Sequence, residues 1–251
     1  MPANTITEVI TQLTNIIAQS EAANNRAGYF AALYKKVTMV VASKITAGYF
    51  DDNPRMEQLD VVFANRYLDA FENYSQHTSC TAAWQLAFDT CNDWPPMVMH
   101  HLLTGMNAHI ALDLGIATAI VAEGSAIENI HNDFNKINTI LCDMIEEVKN
   151  CLFSMWPLSQ FISKLNMGKI ENDLAGFSMK IARDAAWQVA VDYSLCTDAL
   201  AQQNYIAGRD KSVADFGSRL LHPGALLQTV AGIARVFEFG KVPDKIKKLG
   251  A

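Results

Sequence analysis

Apolar residues recur at intervals of three and four along almost the whole chain, and strict alternation of apolar and polar residues is nearly absent. A period of three to four places apolar side chains on one face of an α-helix, whereas a strand needs a period of two. Half of the 251 residues are hydrophobic and 18% are charged, which is enough apolar material for a sizeable core. We therefore predict an all-α fold, a single-domain multi-helix bundle over residues 1–251.

Capping residues divide this pattern into separate helices. Thr5 with Glu8, and Ser125 with Glu128, have the spacing of a capping box, in which side chains satisfy the backbone amides of a helix start. The predicted helices run from Thr5 to the Asn24–Asn25 region, Arg26 to Ala47, Arg55 to Tyr74, Ala82 to Phe88, Pro95 to Ala122, Ser125 to Phe153, Ile170 to Gln203 and His222 to Phe239.

Charge and cysteine content argue against several classes of function. The net charge is −6, and the basic residues cluster only in the short tail from Lys241 to Lys248, so we expect no nucleic-acid groove. The five cysteines are odd in number and scattered, which argues against a disulfide framework and a zinc knuckle. The first residues lack a secretory pattern, and no apolar run reaches the roughly 20 residues of a membrane span. We expect a soluble, cytoplasmic protein that acts on a small molecule, and the sequence sets no oligomeric state.

Polar or small residues interrupt one apolar helix at intervals of four. His101, Gly105, His109 and Asp113 share one face, since each step of four residues drifts by only about 40° around a helix. Gly105 leaves room for another chain segment to approach closely. Buried imidazoles and a carboxylate need hydrogen-bond partners or a metal. We interpret the two histidines and the aspartate either as ligands of a divalent transition metal, zinc or iron, or as a hydrogen-bonded core cluster.

A further candidate ligand lies at the start of the next helix. Glu128 and His131 have the Glu-x-x-His spacing of di-iron carboxylate bundles, although the capping box would engage Glu128 with backbone amides. His131 is a candidate metal ligand in either case, because Asn138 follows it along the same face and extends a polar, substrate-binding surface. Asp133 lies on another face near the helix start, where it can accept hydrogen bonds from the backbone or from a ligand.

A third helix offers a cation and an indole. Arg183 and Trp187 lie one turn apart among small residues that let other helices approach closely. The arginine could hold a carboxylate, either that of Asp113 or Asp133 or that of an anionic substrate, with Trp187 closing the pocket. The alternative is a structural ion pair.

Other polar residues have weaker signals. His100 and Asn107 lie on a different face of the motif helix, so Asn107 is a candidate for substrate binding only if that face is also buried. Asp60 and Arg66 present the same choice between a structural pair and a site. His222 precedes a proline at a helix start and is expected at the surface.

Residues 105–114 resemble the Gly-x-x-x-His-x-x-x-Asp-Leu helix of the zinc-dependent phospholipase C family, all-α enzymes of similar length. This resemblance implies that His109 and Asp113 bind zinc, although the family's following Pro-x-His is replaced by Ile-Ala-Thr-Ala at residues 116–119. A longer stretch, residues 101–114 with 133–138 and 183–187, resembles an uncharacterised bacterial family of all-helical domains. That resemblance implies one site built from the same residues and supplies no activity.

Three hypotheses about function follow from these residues. The first is a metal-dependent enzyme, most simply a hydrolase of an ester or phosphoester, in which a metal-bound water attacks the substrate. The second is a non-heme iron oxygenase or oxidase acting on an apolar substrate. The third is a non-catalytic bundle that binds a small ligand and has a structural polar core. In the first hypothesis the metal ligands are His101, His109, Asp113 and His131, the catalytic residues are Asp133 and Arg183, and the substrate-binding residues are Asn107, Asn138 and Trp187.

Overall fold

The computed structural model describes residues 1–92, 97–123, 125–154, 179–222 and 240–251. These residues form helices and the turns between them, and no strand occurs in these ranges. The predicted all-α helical bundle is confirmed. The α-helices are α1 (Ile6–Ala23), α2 (Ala27–Thr46), α3 (Asn53–Ser75), α4 (Ala82–Asp89), α5 (Val98–Ala108), α6 (Gly115–Ala122), α7 (His131–Ser154), α8 (Met179–Ser194), α9 (Ala199–Leu221) and α10 (Val242–Gly250).

Side-chain caps fix several helix starts. The Thr5 hydroxyl accepts a hydrogen bond of 3.2 Å from the Glu8 amide at the start of α1, as the sequence predicted. Asp52 caps α3 in the same way. The start of α4 is capped by a distant residue, because Asp210 on α9 accepts from its first two amides at 2.7 and 2.8 Å. Such caps satisfy amides that have no partner within the helix.

One predicted helix is divided in two by the structure. The sequence pattern predicted an unbroken helix from Ile170 to Gln203, but α8 ends at Ser194 and α9 begins at Ala199. The break occurs because Asp198 adopts an extended conformation and caps α9 by accepting from the Ala201 amide at 2.8 Å. Residues 170–178 and 223–239 lie outside the described residues, and with them lies most of the predicted helix from His222 to Phe239.

The predicted capping box at Ser125 and Glu128 is also wrong. The Ser125 hydroxyl donates backwards to the Ala122 carbonyl at 2.9 Å, so it caps no amide, and Glu128 is exposed to solvent. A 3₁₀ turn at Ile127–Ile130 follows, and α7 begins only at His131. A serine hydroxyl can bond to a preceding carbonyl as readily as to a following amide, which is why spacing alone misplaced this helix start.

The central helix of the bundle contains a π-helical segment. α5 runs into a π-helix at His109–Leu114, which continues as α6. The sequence predicted one regular helix from Pro95 to Ala122; the described part begins at Val98, since residues 93–96 lie outside the description. Arg209 on α9 donates to the Ala111 carbonyl, 3.0 Å away, within the π segment. A π turn changes the face that later residues present, and such turns occur frequently at functional sites.

Two glycines bring neighbouring helices against this central helix. A Cβ atom at Gly105 would lie 2.6 Å from the Phe30 ring of α2, which confirms the predicted close approach. A Cβ atom at Gly115 would lie 2.5 Å from the Ala186 carbonyl oxygen of α8. α3 also packs against the π segment and α6, and α9 packs against α5. The central helix is therefore enclosed by its neighbours.

The same enclosure bears on a membrane span. Val98–Ala122 is the one helical stretch among the described residues that is long and apolar enough to cross a membrane. Of its most apolar window, 83% is buried inside the fold. The core helix of a soluble protein has the same length and composition, so this stretch is weak evidence for a membrane.

Candidate functional site

The carboxylate of Asp113 is the centre of a buried polar cluster. It accepts a hydrogen bond of 2.8 Å from the Arg66 Nε and one of 2.7 Å from the Trp84 indole. A third, longer contact of 3.5 Å joins its Oδ2 to the Nδ1 of His109. Asp113 is only 1% exposed, so these partners replace the water that the carboxylate would otherwise bind.

Three elements of the fold supply this cluster. His109 and Asp113 lie on the π segment, Arg66 lies on α3, and Trp84 lies on α4. His109 and Asp113 are four residues apart, which brings the ring and the carboxylate onto one side of the segment. The guanidinium and the indole come from residues distant in sequence, so the cluster forms only when the helices pack.

Electrostatics hold Asp113 ionised and His109 neutral. Burial alone would raise the pKa of Asp113, but the ion pair with Arg66 and the hydrogen bonds from His109 and Trp84 outweigh it and lower that pKa. Burial lowers the pKa of His109, although the neighbouring carboxylate opposes that shift. With the carboxylate accepting at Nδ1, the network assigns the proton to Nδ1 and leaves the Nε2 lone pair available.

Aromatic rings surround the His109 imidazole. The Phe63 ring stacks on it with 3.6 Å between ring centres and an angle of 10° between planes. The Tyr34 ring meets it edge to face at 4.4 Å. Three further rings, those of Phe30, Trp84 and Tyr67, have centres 5.7, 5.8 and 6.2 Å from that of His109. We name these five rings and His109 the aromatic chamber.

Three polar atoms of the aromatic chamber have no hydrogen-bond partner among the described residues. One is the His109 Nε2, an acceptor in the neutral tautomer assigned above. The others are the hydroxyls of Tyr34 and Tyr67. Burial raises the pKa of Tyr67, so its hydroxyl stays protonated and can donate. A buried polar atom without a protein partner can bind a small polar group, such as a carbonyl, a hydroxyl or a water molecule.

A second buried carboxyl lies near this chamber. Asp60 on α3 is 9% exposed, and its Oδ2 has no partner within the described ranges. Burial and, to a smaller extent, the charge of Glu57 raise the pKa of Asp60 to about 7. Burial is the main cause of the raised pKa of Tyr34, and the negative charge of Asp60 raises that pKa further. The Asp60 carboxyl is therefore partly protonated and partly ionised near neutral pH.

Arg66 belongs to the buried cluster. The sequence left open whether Asp60 and Arg66 have a structural role or form part of a site, and the Arg66 guanidinium binds Asp113 on the π segment. Arg66 therefore binds the Asp113 carboxylate, a role that the sequence analysis considered for Arg183. The side chain of Arg66 is 23% exposed, so it connects the buried carboxylate with the surface.

The predicted metal ligands are not brought to one point. His109 lies eight positions after His101, about 12 Å along the helix axis. The His101 ring lies beside Tyr29, with 5.6 Å between ring centres. His131 is exposed and stacks on Trp187, with ring centres 4.1 Å apart. In the described part of the chain, no group of three or more His, Cys, Asp or Glu side chains is close enough to hold a metal ion.

Asp133 anchors a loop. Its two oxygens accept hydrogen bonds of 2.8 Å each from the amides of Asp51 and Asp52, before the start of α3. Lys136 forms an ion pair of 3.0 Å with the same carboxylate. Asp133 is 4% exposed and fully engaged, so its geometry fits a structural role better than the predicted catalytic role.

Arg183 is buried against the backbone of α7. Its guanidinium donates to the Phe134 carbonyl at 2.6 Å and lies over the Phe134 ring at 4.3 Å. Burial lowers the pKa of Arg183 to about 9, against the opposing effect of Asp184. Arg183 forms no ion pair with Asp113 or Asp133 among the described contacts, so the predicted carboxylate pairing is not the one observed.

The two predicted substrate-binding residues whose side chains are described, Asn107 and Trp187, have different partners. Asn107 is buried, and its amide donates to the Val213 carbonyl of α9 at 2.8 Å, which ties two helices together. Trp187 packs against His131 and Phe134. The side chain of Asn138 lies outside the described residues, and His222 is exposed, as the sequence predicted.

Sequence reasoning missed most of the aromatic chamber. Tyr34, Phe63, Tyr67 and Trp84 have the spacing of ordinary core residues, and no local pattern distinguishes them from a helix face packed in the interior. The sequence offered one indication: Tyr and Trp side chains that are buried need hydrogen-bond partners for their polar atoms.

A family of unknown function, DUF5995, has a sequence model that matches residues 6–223. No curated protein matches the chain. No solved structure matches it.

Proposed function

We propose that this chain, which belongs to DUF5995, a family of unknown function, is a hydrolase of small, mainly apolar esters. The aromatic chamber would be its active site, with His109 as the general base. The observation that carries this proposal is the contact between the buried His109 imidazole and Asp113. Asp113 holds its Nδ1 side, while its Nε2 has no partner among the described residues. A buried base of this kind is the element that acid–base catalysis requires.

The reaction would run through water. The His109 Nε2 removes a proton from a water molecule while the water oxygen forms a bond to the ester carbonyl carbon. The Asp113 carboxylate stabilises the imidazolium that results. The Tyr67 hydroxyl donates a hydrogen bond to the carbonyl oxygen as negative charge develops on it. The imidazolium then returns its proton to the alkoxide as the carbon–oxygen bond of the ester breaks.

The aromatic rings favour an apolar substrate. Stacked and edge-on rings offer apolar surface and no charge, so a substrate with a small hydrocarbon group gains most by burial there. His109 is 3% exposed and Trp84 is 1% exposed. A site this buried would require the helices around the chamber to move apart to admit a substrate, as in enzymes whose sites close over the reaction.

A metal-dependent form of this reaction has less support. The resemblance to zinc-dependent phospholipase C places zinc on His109 and Asp113, and the Nε2 lone pair is a suitable ligand. Both Asp113 oxygens are already engaged, by Arg66 on one side and by Trp84 with His109 on the other. Elemental mass spectrometry of the untagged protein, beside the Asp113→Asn variant, tests this form: near-stoichiometric zinc or iron that is lost in the variant would favour it.

The proposal is tested with chromogenic p-nitrophenyl esters of increasing acyl length. We expect the His109→Gln variant to lower kcat/KM by about 10²-fold to 10⁴-fold, the range in which a general base contributes. His131→Gln is the control, because His131 is exposed and outside the chamber. Equal activity of wild type and His109→Gln would refute the proposal, and loss of activity in His131→Gln would favour the metal site predicted from sequence.

A second candidate is a non-catalytic bundle that binds a small ligand and uses Asp113 to hold its helices together. The observation in its favour is that Asp113 is bound from α3, α4 and its own segment at once, as expected of a structural polar core. In this case His109→Gln would change the affinity for apolar ligands or the stability, and ester hydrolysis would be absent from the wild type as well.

A further inference from the structure

A cavity of about 640 Å³ lies outside the aromatic chamber. It is bounded by the end of α3, by α4 with the 3₁₀ turn after it, and by the turn between α1 and α2. This volume is in the range of cavities that hold small molecules. The lining residues that carry the argument are Phe71, Tyr74, Phe88, Asp89 and Gln85.

One part of the cavity wall is aromatic. The Phe88 ring lies 4.9 Å from that of Tyr74 and 5.8 Å from that of Phe71, measured between ring centres. Phe88 is buried, so its ring is fixed by the core behind it, where it stacks on Trp84 at 5.3 Å. Such rings offer faces with negative partial charge, which attract cations.

The carboxylate of Asp89 stands beside these rings with its charge uncompensated in the described structure. It accepts a hydrogen bond of 3.0 Å from the Tyr74 hydroxyl and hydrogen bonds of 2.9 and 3.1 Å from Gln85. Both partners are neutral. Arg26, which lies between the lining residues Asn25 and Ala27, donates to the Cys91 carbonyl at 2.8 Å, and no ion pair joins it to Asp89 among the described residues. Two carboxylate oxygens have acceptor capacity beyond these contacts, so Asp89 can bind a further donor or a cation.

We infer that this cavity is a binding site for a small organic cation, such as a quaternary or protonated amine carrying an apolar group. The apolar group would lie against Phe71 and Phe88, and the cation would lie between the Tyr74 ring and the Asp89 carboxylate. An anion in the same place would be repelled by the Asp89 carboxylate. This site is separate from His109 and goes beyond the proposed function.

The test uses isothermal titration calorimetry on the full chain with benzyltrimethylammonium, benzyl alcohol and benzoate. We expect benzyltrimethylammonium to bind with one site per chain, benzyl alcohol to bind more weakly and benzoate to give no saturable heat. In Asp89→Asn, which preserves the size of the side chain, the affinity for the cation should fall about three- to tenfold, and that for benzyl alcohol should stay unchanged.

Asp192 provides a matched control. It also accepts from a glutamine four residues before it, Gln188, at 2.8 Å, and from a tyrosine hydroxyl, that of Tyr205, at 3.2 Å, but it does not line the cavity. Asp192→Asn should therefore leave cation binding unchanged. If Asp89→Asn does not fold, Asp89→Glu, which keeps the charge, replaces it and should retain preference for the cation over benzoate.

Two outcomes would overturn the inference. One is the absence of saturable binding of benzyltrimethylammonium to the folded wild type. The other is equal affinity of wild type and Asp89→Asn for the cation. The variant His109→Gln separates this inference from the proposed function, because it should abolish ester hydrolysis and leave cation binding at the cavity intact.

Discussion

Replacing Asp113 by asparagine tests the buried cluster most sharply. The change keeps the shape of the side chain and removes the charge that binds Arg66 at 2.8 Å and Trp84 at 2.7 Å. Breaking a buried ion pair costs about 3–5 kcal/mol, and the side chain of Arg66, at 23% exposure, recovers part of this through water. The weakened hydrogen bond from Trp84 adds about 1 kcal/mol. We expect a total loss of about 3 kcal/mol at pH 7.

The pH dependence of this loss has a defined sign. The pKa of Asp113 is lower in the folded protein than in the unfolded chain, so its ionisation stabilises the fold above the unfolded value, about 4. That stabilisation disappears as the pH falls through the lower, folded pKa. The difference in stability between wild type and Asp113→Asn should therefore be complete at pH 7 and shrink below pH 4.

The assay is urea unfolding followed by circular dichroism between pH 3 and pH 8, with both proteins fitted to the same slope against denaturant. Asp192→Asn serves as the control. Among the described residues, the Asp192 carboxylate accepts hydrogen bonds from the neutral side chains of Gln188 and Tyr205, so its substitution should change stability by less than about 0.5 kcal/mol. A loss in Asp113→Asn as small as that of the control, or one that does not vary with pH, would refute the reasoning.

Three further stability measurements follow from the same contacts. The Asp60→Asn variant should be more stable than the wild type above pH 7, and this advantage should disappear toward pH 4. The reason is that a folded pKa of about 7 makes the wild type less stable as the pH rises from 4 to 7. A difference that does not vary with pH would contradict this. Gly115→Ala should destabilise the protein by about 2 kcal/mol or more, since the new Cβ would lie 2.5 Å from a backbone carbonyl oxygen. Gly208→Ala, with open space around it, should stabilise the protein by about 0.5–1 kcal/mol. Equal effects of the two substitutions in thermal unfolding would refute the close approach at Gly115. Asp210→Ala should cost about 1–2 kcal/mol by removing the cap of α4, and an unchanged melting temperature would count against that cap.

The all-α fold class and the contact between His109 and Asp113 could be predicted from the sequence, because both depend on short-range spacing. The period of the apolar residues indicated helices, and the four-residue interval between His109 and Asp113 placed an imidazole beside a carboxylate. Gly105 was expected to admit a close neighbour, and the Phe30 ring lies against it. These properties require only the geometry of one helix.

The partners of that pair could not be predicted, because they depend on how helices pack. Arg66 and Trp84 lie 47 and 29 residues before Asp113, and nothing in their local sequence indicates that both reach one carboxylate. A shared helix face also misled the metal prediction. Residues four apart repeat along an axis, so His101 lies on the same face as His109 but about two turns away from it.

The protonation state of His109 is the most direct test of the account, and nitrogen-15 NMR of labelled imidazoles measures it. Long-range ¹H–¹⁵N spectra distinguish the two neutral tautomers and give the pKa. We predict a neutral His109 at pH 7, protonated at Nδ1, with a pKa below the ordinary histidine value, and a tautomer ratio that changes in Asp113→Asn. A proton on Nε2, or a charged His109 at pH 7, would contradict the account, because no lone pair would then be available at Nε2 to accept a proton.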